Sequence, residues 1–412
     1  MTAWTPEWRV KVNGSTLTNI TLSNLIITSG RTSIYEQPQA SYAVINLINL
    51  DQSSIAIDIN DPVTVEIKDS SGSFIYLYGG FVTEFSKVVN RAGSVTYTQT
   101  FTILALGALA RLPRQLTDGI LIKDEDGDQI YSILEAALFN TWAEVAGSLT
   151  WADYDPTVTW ANAENVGLGE IDRPGNYELA ERSAAVTDIY SLVASLATSG
   201  LGYIYEDAQG RICYADSTHR GEYLATNGYV DLDAGQAVAS GLTIATRGQD
   251  VRNSITITYK NGQTVSDDDS ASITLYGLLA QNIETSIEKL ADAQSQAAFY
   301  LSLRAYPQGL LESITFQLQN PDIDNSDRDA LLGVFIGMPI NLTNLPINMG
   351  SNFQGFVEGW TFQASFNGLS VTLLTSPISY SLDAFRWNNV PASETWNTLD
   401  PTMTWLEATV VA

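Results

Sequence analysis

The sequence predicts a mainly β protein that carries an α+β insertion, and three observations lead to that fold class. Short alternating strands fill residues 1–115, helical periodicity followed by a hairpin marks residues 116–239, and alternating strands return over residues 240–378. A tryptophan-rich arm follows at residues 379–412. Because 412 residues exceed what one hydrophobic core usually organises, we expect these segments to be separate domains.

The first segment, residues 1–115, has the pattern of a β-sandwich or barrel. Residues 8–12 alternate between apolar and polar side chains and end at Asn13-Gly14, a dipeptide typical of hairpin turns. Further strands are expected at residues 20–22, 43–47, 62–67, 74–78 and 95–106. Many short strands at regular spacing favour a sandwich or a barrel.

The middle segment, residues 116–239, reads as helix, loop, helix and hairpin. Asp128 is expected to cap a first helix. The apolar face of that helix would be Ile130, Ile133, Leu134, Ala137 and Leu138. A second helix is expected from about Thr187 to a stop at Gly200. Residues 202–205 and 211–214 then flank a turn that contains Gly210, which predicts a β-hairpin.

The third segment, residues 240–378, combines strands with one long helix. Residues 254–259 alternate and meet a turn at 260–262, and residues 266–270 are expected to form a charged loop. Thr285 and Glu288 have the spacing of a capping box, and Pro307 would end the helix that follows. Later strands are expected at residues 313–318, 339–342, 355–362 and 369–374.

An internal repeat is the most unusual feature of the sequence. Residues 142–163 and 387–408 align without gaps, with eleven of twenty-two positions identical. Each copy spaces its tryptophans nine residues apart; they are Trp142, Trp151, Trp160, Trp387, Trp396 and Trp405. Aromatic anchors dominate protein interfaces, so we expect these six residues to contact a neighbouring domain or subunit. The alternative is a glycan-binding surface on which the indole faces stack against sugar rings.

Composition and charge exclude several classes of function. Twenty Lys and Arg against forty-six Asp and Glu give a net charge of −26, so the surface should repel nucleic acid and anionic lipid, although a protein that only surrounds DNA remains compatible. A single cysteine and a single histidine exclude a disulfide framework and a multi-histidine zinc site. No apolar run of eighteen residues and no signal peptide is visible, so we expect no membrane span and expect synthesis in a bacterial or host cytosol.

The residues that carry chemistry in other proteins have structural explanations here. We expect His219 to be a surface-loop residue and Cys213 to be a small core residue of the hairpin. The acidic run 124–128 departs from the spacing of a calcium loop, so it is interpreted as an acidic turn with a helix cap. The acidic run 267–269 is interpreted as a solvated loop. No phosphate loop or dinucleotide fingerprint is present, so we expect no enzyme activity, cofactor or metal.

Several fragments, taken in their order and spacing, resemble a known family. They are residues 29–33 and 40–49, the hairpin 202–212, residues 272–277 with Thr285, 292–293, Leu301 and Pro307, and the later segments 336–340 and 357–360. Together they are similar to minor tail proteins of long-tailed bacteriophages, of the tail-hub or baseplate-hub type. Gly337-Met338 departs from the Gly-Asp expected at that point.

The resemblance implies a structural role at the tip of a phage tail. It implies two tube-like β domains, about 1–115 and 240–378, that flank the insertion. It also implies a ring, expected to be a homotrimer, which continues the tail tube and surrounds the DNA channel without sequence-specific binding. Its partners would be further copies of the chain, the distal-tail or tail-tube protein, and fibre or other tail-tip proteins. The chain would be made in the bacterial cytoplasm and act in the virion. A hexameric ring, a glycan-binding receptor protein and a tail-associated hydrolase are the alternatives.

Overall fold

The structure, a computed structural model, describes most of the chain up to residue 378. The described residues are 4–49, 54–90, 98–141, 168–238, 242, 244–246, 248–260, 262–307, 309–346, 352–365 and 368–378. Both tryptophan segments, 142–163 and 387–408, lie outside these residues, as does the whole predicted arm 379–412. The six tryptophans proposed as contacts therefore remain a prediction.

Strands dominate the described residues, and six α-helices accompany them. The longer strands are β1 (Trp8–Val12), β3 (Ile20–Gly30), β4 (Tyr42–Asn49), β5 (Pro62–Lys68), β6 (Phe74–Asn90), β7 (Thr98–Leu106), β10 (Leu168–Ile171), β13 (Tyr203–Glu206), β14 (Ile212–Ala215), β15 (Val230–Asp233), β17 (Ser254–Tyr259), β18 (Gln263–Asp268), β19 (Ala280–Glu284), β21 (Ser313–Gln317), β22 (Pro339–Thr343), β23 (Phe353–Ser365) and β24 (Gly368–Pro377). The shorter strands are β2 (Ser15–Thr16), β8 (Leu116–Thr117), β9 (Asp124–Glu125), β11 (Glu178–Leu179), β12 (Thr187–Asp188), β16 (Ile244–Thr246) and β20 (Gly309–Leu311). The helices are α1 (Asp126–Thr141), α2 (Ile189–Ser199), α3 (His219–Asn227), α4 (Ser270–Tyr276), α5 (Leu290–Arg304) and α6 (Asn325–Leu332).

One twelve-stranded sheet joins the two β-rich segments of the chain. Its main path runs β15-β22-β23-β3-β4-β7-β6-β5-β1-β2, and β24 and β21 extend it from β23. The two segments meet where β3 pairs antiparallel with β23, from Gly30 opposite Gly359 to Asn24 opposite Ser365. Alternate side chains of both strands, such as Ile27 and Phe362, are buried on one face, as strand periodicity requires. The mainly β fold class with an α+β insertion is thereby confirmed, while the domain boundaries stay a prediction.

The insertion builds a second core behind a small sheet. That sheet has the order β10-β14-β13, with β10 parallel to β14 and β13 antiparallel to it. Side chains alternate between its faces: Tyr205 and Cys213 belong to the core of the large sheet, whereas Ile204 and Ile212 belong to the second core. Helices α1 and α2 cover the second core, and β17 and α5 from the third segment also pack into it. The long helix of the third segment therefore supports the insertion.

Several local expectations are confirmed. Helix α2 is capped by Asp188, whose side chain accepts a hydrogen bond from the Ser191 backbone N–H, and it ends at Gly200 as predicted. Strands β13 and β14 form the predicted hairpin, and β17 and β18 pair across the turn predicted at 260–262.

Other local expectations are wrong. Helix α1 begins at Asp126, so Asp128 lies inside its first turn, and helix α5 begins only at Leu290, with Lys289 at its cap. Thr285 donates its hydroxyl to the Thr258 carbonyl, and Glu288 pairs with Lys260, so both side chains are used across the neighbouring strand. Residues 266–268 are the end of β18.

None of the helices in the described parts of the chain combines the length and apolarity needed to cross a membrane.

Candidate functional site

A buried ion cluster lies where the large sheet meets the insertion. Glu358 on β23 accepts a 2.7 Å hydrogen bond from Nε of Arg31, which directly follows β3. Arg220 on α3 donates to both Glu358 oxygens, at 2.7 and 2.9 Å. The hydroxyl of Ser376 on β24 donates to the same carboxylate at 2.5 Å. One carboxylate thus connects three strands or strand ends of the large sheet with a helix of the insertion.

The electrostatics of this cluster favour its ionised form. Burial opposes ionisation of Glu358, but the guanidiniums of Arg220 and Arg31 outweigh it and lower its pKa to about 2. The ring of Tyr203 on β13 lies 5.1 Å from the Arg31 guanidinium and 4.7 Å from that of Arg220, positions that suit cation–π attraction. Two arginines facing one glutamate make this a positively charged spot in a strongly acidic protein.

A cleft of about 140 Å³ opens beside the cluster. Polar, aromatic and aliphatic side chains line it, among them Arg31, Tyr35, Gln37, Tyr203, Arg220 and Tyr300. The Gln37 amide donates to the Gly202 carbonyl, so the loop after β3 is fixed to the insertion along this cleft. The Glu358 cluster and the Gln37 hydrogen bond therefore hold the large sheet and the insertion in a fixed relative position.

A second junction is formed by Glu206 at the end of β13. Its buried carboxylate accepts hydrogen bonds from the backbone N–H and hydroxyl of Ser41 and from the backbone N–H of Leu109. Burial nevertheless raises the pKa of Glu206 to about 7, more than these donors lower it. Sequence reasoning treated this residue only as part of a turn, because a carboxylate at a hairpin gives no signal of burial.

The acidic run 124–128, interpreted from the sequence as an acidic turn with a helix cap, forms a short strand and the start of α1, and its member Asp126 is fully buried. The Asp126 carboxylate accepts backbone hydrogen bonds from Asn176 and Tyr177, both at 2.8 Å, and a third from the Tyr214 hydroxyl. Burial raises its pKa to about 6 despite these donors. Asp126 therefore fixes the loop before β11 to the start of α1. The run 267–269 is exposed at Asp267 and Asp268, while Asp269 caps α4.

His219 is buried, so its interpretation as a surface-loop residue is wrong. It is the first residue of α3, only 5% exposed, and its Nδ1 lies 2.8 Å from Oδ2 of Asp172. Burial alone would lower its pKa, but the Asp172 carboxylate raises it. Cys213 is a buried core residue as predicted, and burial raises the pKa of its thiol.

Exposed apolar side chains form two surfaces on the described part of the molecule. Leu116, Ile120, Ile122 and Val186 are each more than 60% exposed and lie around the paired strands β8 and β12. A cleft of about 310 Å³ adjoins them, between residues 115–120 and the Ser132–Ala137 face of α1. The second surface comprises Leu275, Tyr276, Leu278 and Tyr306 near the end of α4. Exposed apolar clusters of this kind often mark protein contacts.

Comparison with solved structures identifies the architecture. The tail protein from Neisseria meningitidis MC58 superposes with a TM-score of 0.58 at 12% identity, over 92% of this chain and 98% of that one. The chain has a phage tail-protein fold. The 43 kDa tail protein of prophage MuSo2 from Shewanella oneidensis gives a TM-score of 0.55 at 11% identity, over 91% and 99% of the two chains. The resemblance to phage tail proteins predicted from the sequence is confirmed at the level of fold.

Comparisons of sequence alone find no such relationship. No protein-family profile matches the chain, and no curated protein is similar to it in sequence. The tail-protein fold is therefore conveyed by the arrangement of the strands and helices, which persists at 11–12% identity.

Proposed function

We propose that this protein is a structural component of a phage tail. The observation that carries the proposal is the tail-protein fold, which extends over more than nine-tenths of this chain and nearly all of both solved tail proteins. The buried ion cluster around Glu358 supports it, because that cluster serves to hold the large sheet and the insertion in one arrangement. The chain works by its shape and turns over no substrate.

At a finer level, the protein forms the hub at the tail tip, as a homotrimeric ring that continues the tail tube and surrounds the DNA channel. A net charge of −26 supports this role, since walls of the same sign as DNA do not retain a polyanion that has to slide past. The exposed apolar surfaces around Ile122 and Leu275 support contacts between copies or with distal-tail and fibre proteins.

The six repeat tryptophans are the partner contacts of this assembly. The two repeat segments are identical at eleven of twenty-two positions and carry the same three tryptophans. Two such segments suit binding to two equivalent surfaces on neighbouring molecules. The same tryptophans support a second candidate function, recognition of a host-surface glycan. A glycan array separates the two: binding that is lost in Trp151→Ala or Trp396→Ala favours the receptor function and opposes the contact function.

The mass of the purified protein by native mass spectrometry tests the ring. We expect the mass of three chains. A monomer at all concentrations would contradict the ring, and six chains would contradict the trimer. Zymography on cell-wall material tests the structural role separately, and lysis would contradict it.

A further inference from the structure

Three metal-ligating side chains of the insertion converge on one point away from the Glu358 cluster. Glu170 lies on β10, Asp172 directly follows that strand, and His219 begins α3. The parallel pairing of β10 with β14, with Ile171 opposite Tyr214, brings the end of β10 beside the turn that leads into α3. One ligating atom from each of the three side chains lies within 4.8 Å of the other two.

The cluster is held in place from several sides. Asp172 is 1% exposed, and its Oδ2 accepts hydrogen bonds from the backbone N–H of Asp216 at 2.9 Å and from His219 Nδ1 at 2.8 Å. Glu170 is partly exposed, so a path to solvent remains. Preorganised side chains at a buried position with one open side are what a metal site requires.

Two carboxylate oxygens in the cluster have no hydrogen-bond partner within the described parts of the chain. They are Oδ1 of Asp172 and Oε2 of Glu170, both shielded from solvent. Among the described residues, no Lys or Arg forms an ion pair with either carboxylate, and the neighbouring Arg220 is engaged by Glu358. When both carboxyl groups are ionised, as in a metal-bound site, they are net negative beside one imidazole even if that imidazole is protonated. A buried charge of this kind is costly without a compensating cation.

We propose that Glu170, Asp172 and His219 bind one divalent transition-metal ion of the Zn²⁺ or Mn²⁺ type. An imidazole nitrogen with two carboxylate oxygens suits these ions, whereas Ca²⁺ and Mg²⁺ prefer oxygen ligands throughout. Bonds of about 2.0–2.2 Å require the ligating atoms to move closer together than 4.8 Å, so the side chains rotate on binding. Where Nδ1 of His219 is the ligand, the metal bond replaces its hydrogen bond to Asp172. The ion joins the end of β10 to the start of α3, next to Arg220, and so strengthens the junction between insertion and sheet.

Isothermal titration of the full-length, tag-free and chelator-treated protein tests this site. We expect one equivalent of Zn²⁺ or Mn²⁺ to bind per chain, with Ca²⁺ far weaker. Glu170→Gln and His219→Gln should each weaken the binding by about tenfold or more. Because an acidic surface attracts cations without specific ligands, the double variant Asp267→Asn, Asp268→Asn is the matched control. It removes two exposed carboxylates and should bind as the unmodified protein does.

A second measurement keeps the proposal testable if His219→Gln does not fold. Glu170 is partly exposed, so Glu170→Gln should fold, and Zn²⁺ should raise the melting temperature of the unmodified protein but not that of this variant. Visible absorption of added Co²⁺ should report coordination by nitrogen and oxygen. Absence of saturable binding, or equal binding by Glu170→Gln and the unmodified protein, would overturn the site.

Discussion

Arg31 and Glu358 are separated by 327 positions in the chain, yet Nε of the arginine lies 2.7 Å from the carboxylate of the glutamate. Both residues lie at the antiparallel junction of β3 and β23, where the first and last β segments become one sheet. Arg220 of the insertion completes the contact from the other side. One ion cluster therefore connects the three parts of the sequence.

Removing the charge of Glu358 should destabilise the fold strongly. Glu358→Gln leaves two buried guanidiniums without a counter-charge, and breaking a buried pair in this way costs about 3–5 kcal/mol of unfolding free energy. Urea denaturation measures the loss. Glu7→Gln, which breaks the exposed pair with Lys68, is the matched control and should change little. Equal effects of the two variants would contradict the role of the cluster.

Replacing Gly30 by alanine should lower the stability of the fold more than replacing Gly14 by alanine. Both have positive φ, +90° and +71°, so alanine is strained at either position. At Gly30 a Cβ would also collide with the Glu358 carbonyl oxygen, whereas at Gly14 no atom of the described residues lies within 4 Å of it. We expect Gly14→Ala to cost about 1 kcal/mol and Gly30→Ala clearly more, measured by thermal unfolding. Comparable losses would mean that the β3–β23 junction has room to adjust.

Stability should fall as the pH rises from about 5 to 8. The pKa of Glu206 is raised from 4.5 to about 7, so the folded state binds its proton more tightly, and this contribution to stability is lost as the pH rises through 7. The pKa of Asp126 is raised to about 6, so its contribution to stability is also lost as the pH rises. The pKa of Glu358 is lowered to about 2, so the stability that its ionised form contributes is lost only at acidic pH.

Glu206→Gln tests this dependence. Ser41 and Leu109 donate to different oxygens of the carboxylate, so the amide oxygen keeps only one of these backbone hydrogen bonds and the variant loses some stability at every pH, but the side chain no longer titrates. We expect the fall between pH 5 and 8 to shrink by an amount on the order of 2–3 kcal/mol. Glu84→Gln, at an exposed position of β6, is the control and should leave the slope unchanged. An unaltered slope in Glu206→Gln would contradict the assignment.

Substitution of a core tryptophan should lower the stability of the fold, whereas substitution of repeat tryptophans should weaken assembly. Trp360 is buried in β23, so Trp360→Ala should lower the unfolding free energy by about 3–5 kcal/mol. Trp396→Ala with Trp405→Ala should leave the melting temperature unchanged but weaken assembly, and deletion of residues 385–412 should do the same. Melting curves and native mass spectrometry distinguish these effects. Unfolding of the double variant would show that these two tryptophans belong to the hydrophobic core. An intact ring after the deletion would argue against the contact role.

Periodicity predicted the local elements well and their assembly only in part. The β13–β14 hairpin and the Gly200 helix end follow from short-range patterns, which the sequence shows directly. The pairing of β3 with β23 joins residues more than three hundred positions apart, and no local pattern records it. The proposed capping box at Thr285 and Glu288 failed because both side chains found partners across β17.

The polar residues of the interior were harder to predict. Asp126 and Asp172 are buried and Glu206 is half-buried, although carboxylates are usually exposed, so composition pointed to the surface. His219 was assigned to a loop because its partner, Asp172, is 47 positions away. Such residues become recognisable only when the fold shows which donors surround them.

Electron cryomicroscopy of assembled phage tails would test the central claim most directly. We expect a closed ring of three copies, coaxial with the tail tube, with acidic side chains facing the channel. A single copy located off the tube axis, or a channel wall lined by basic residues, would contradict the account.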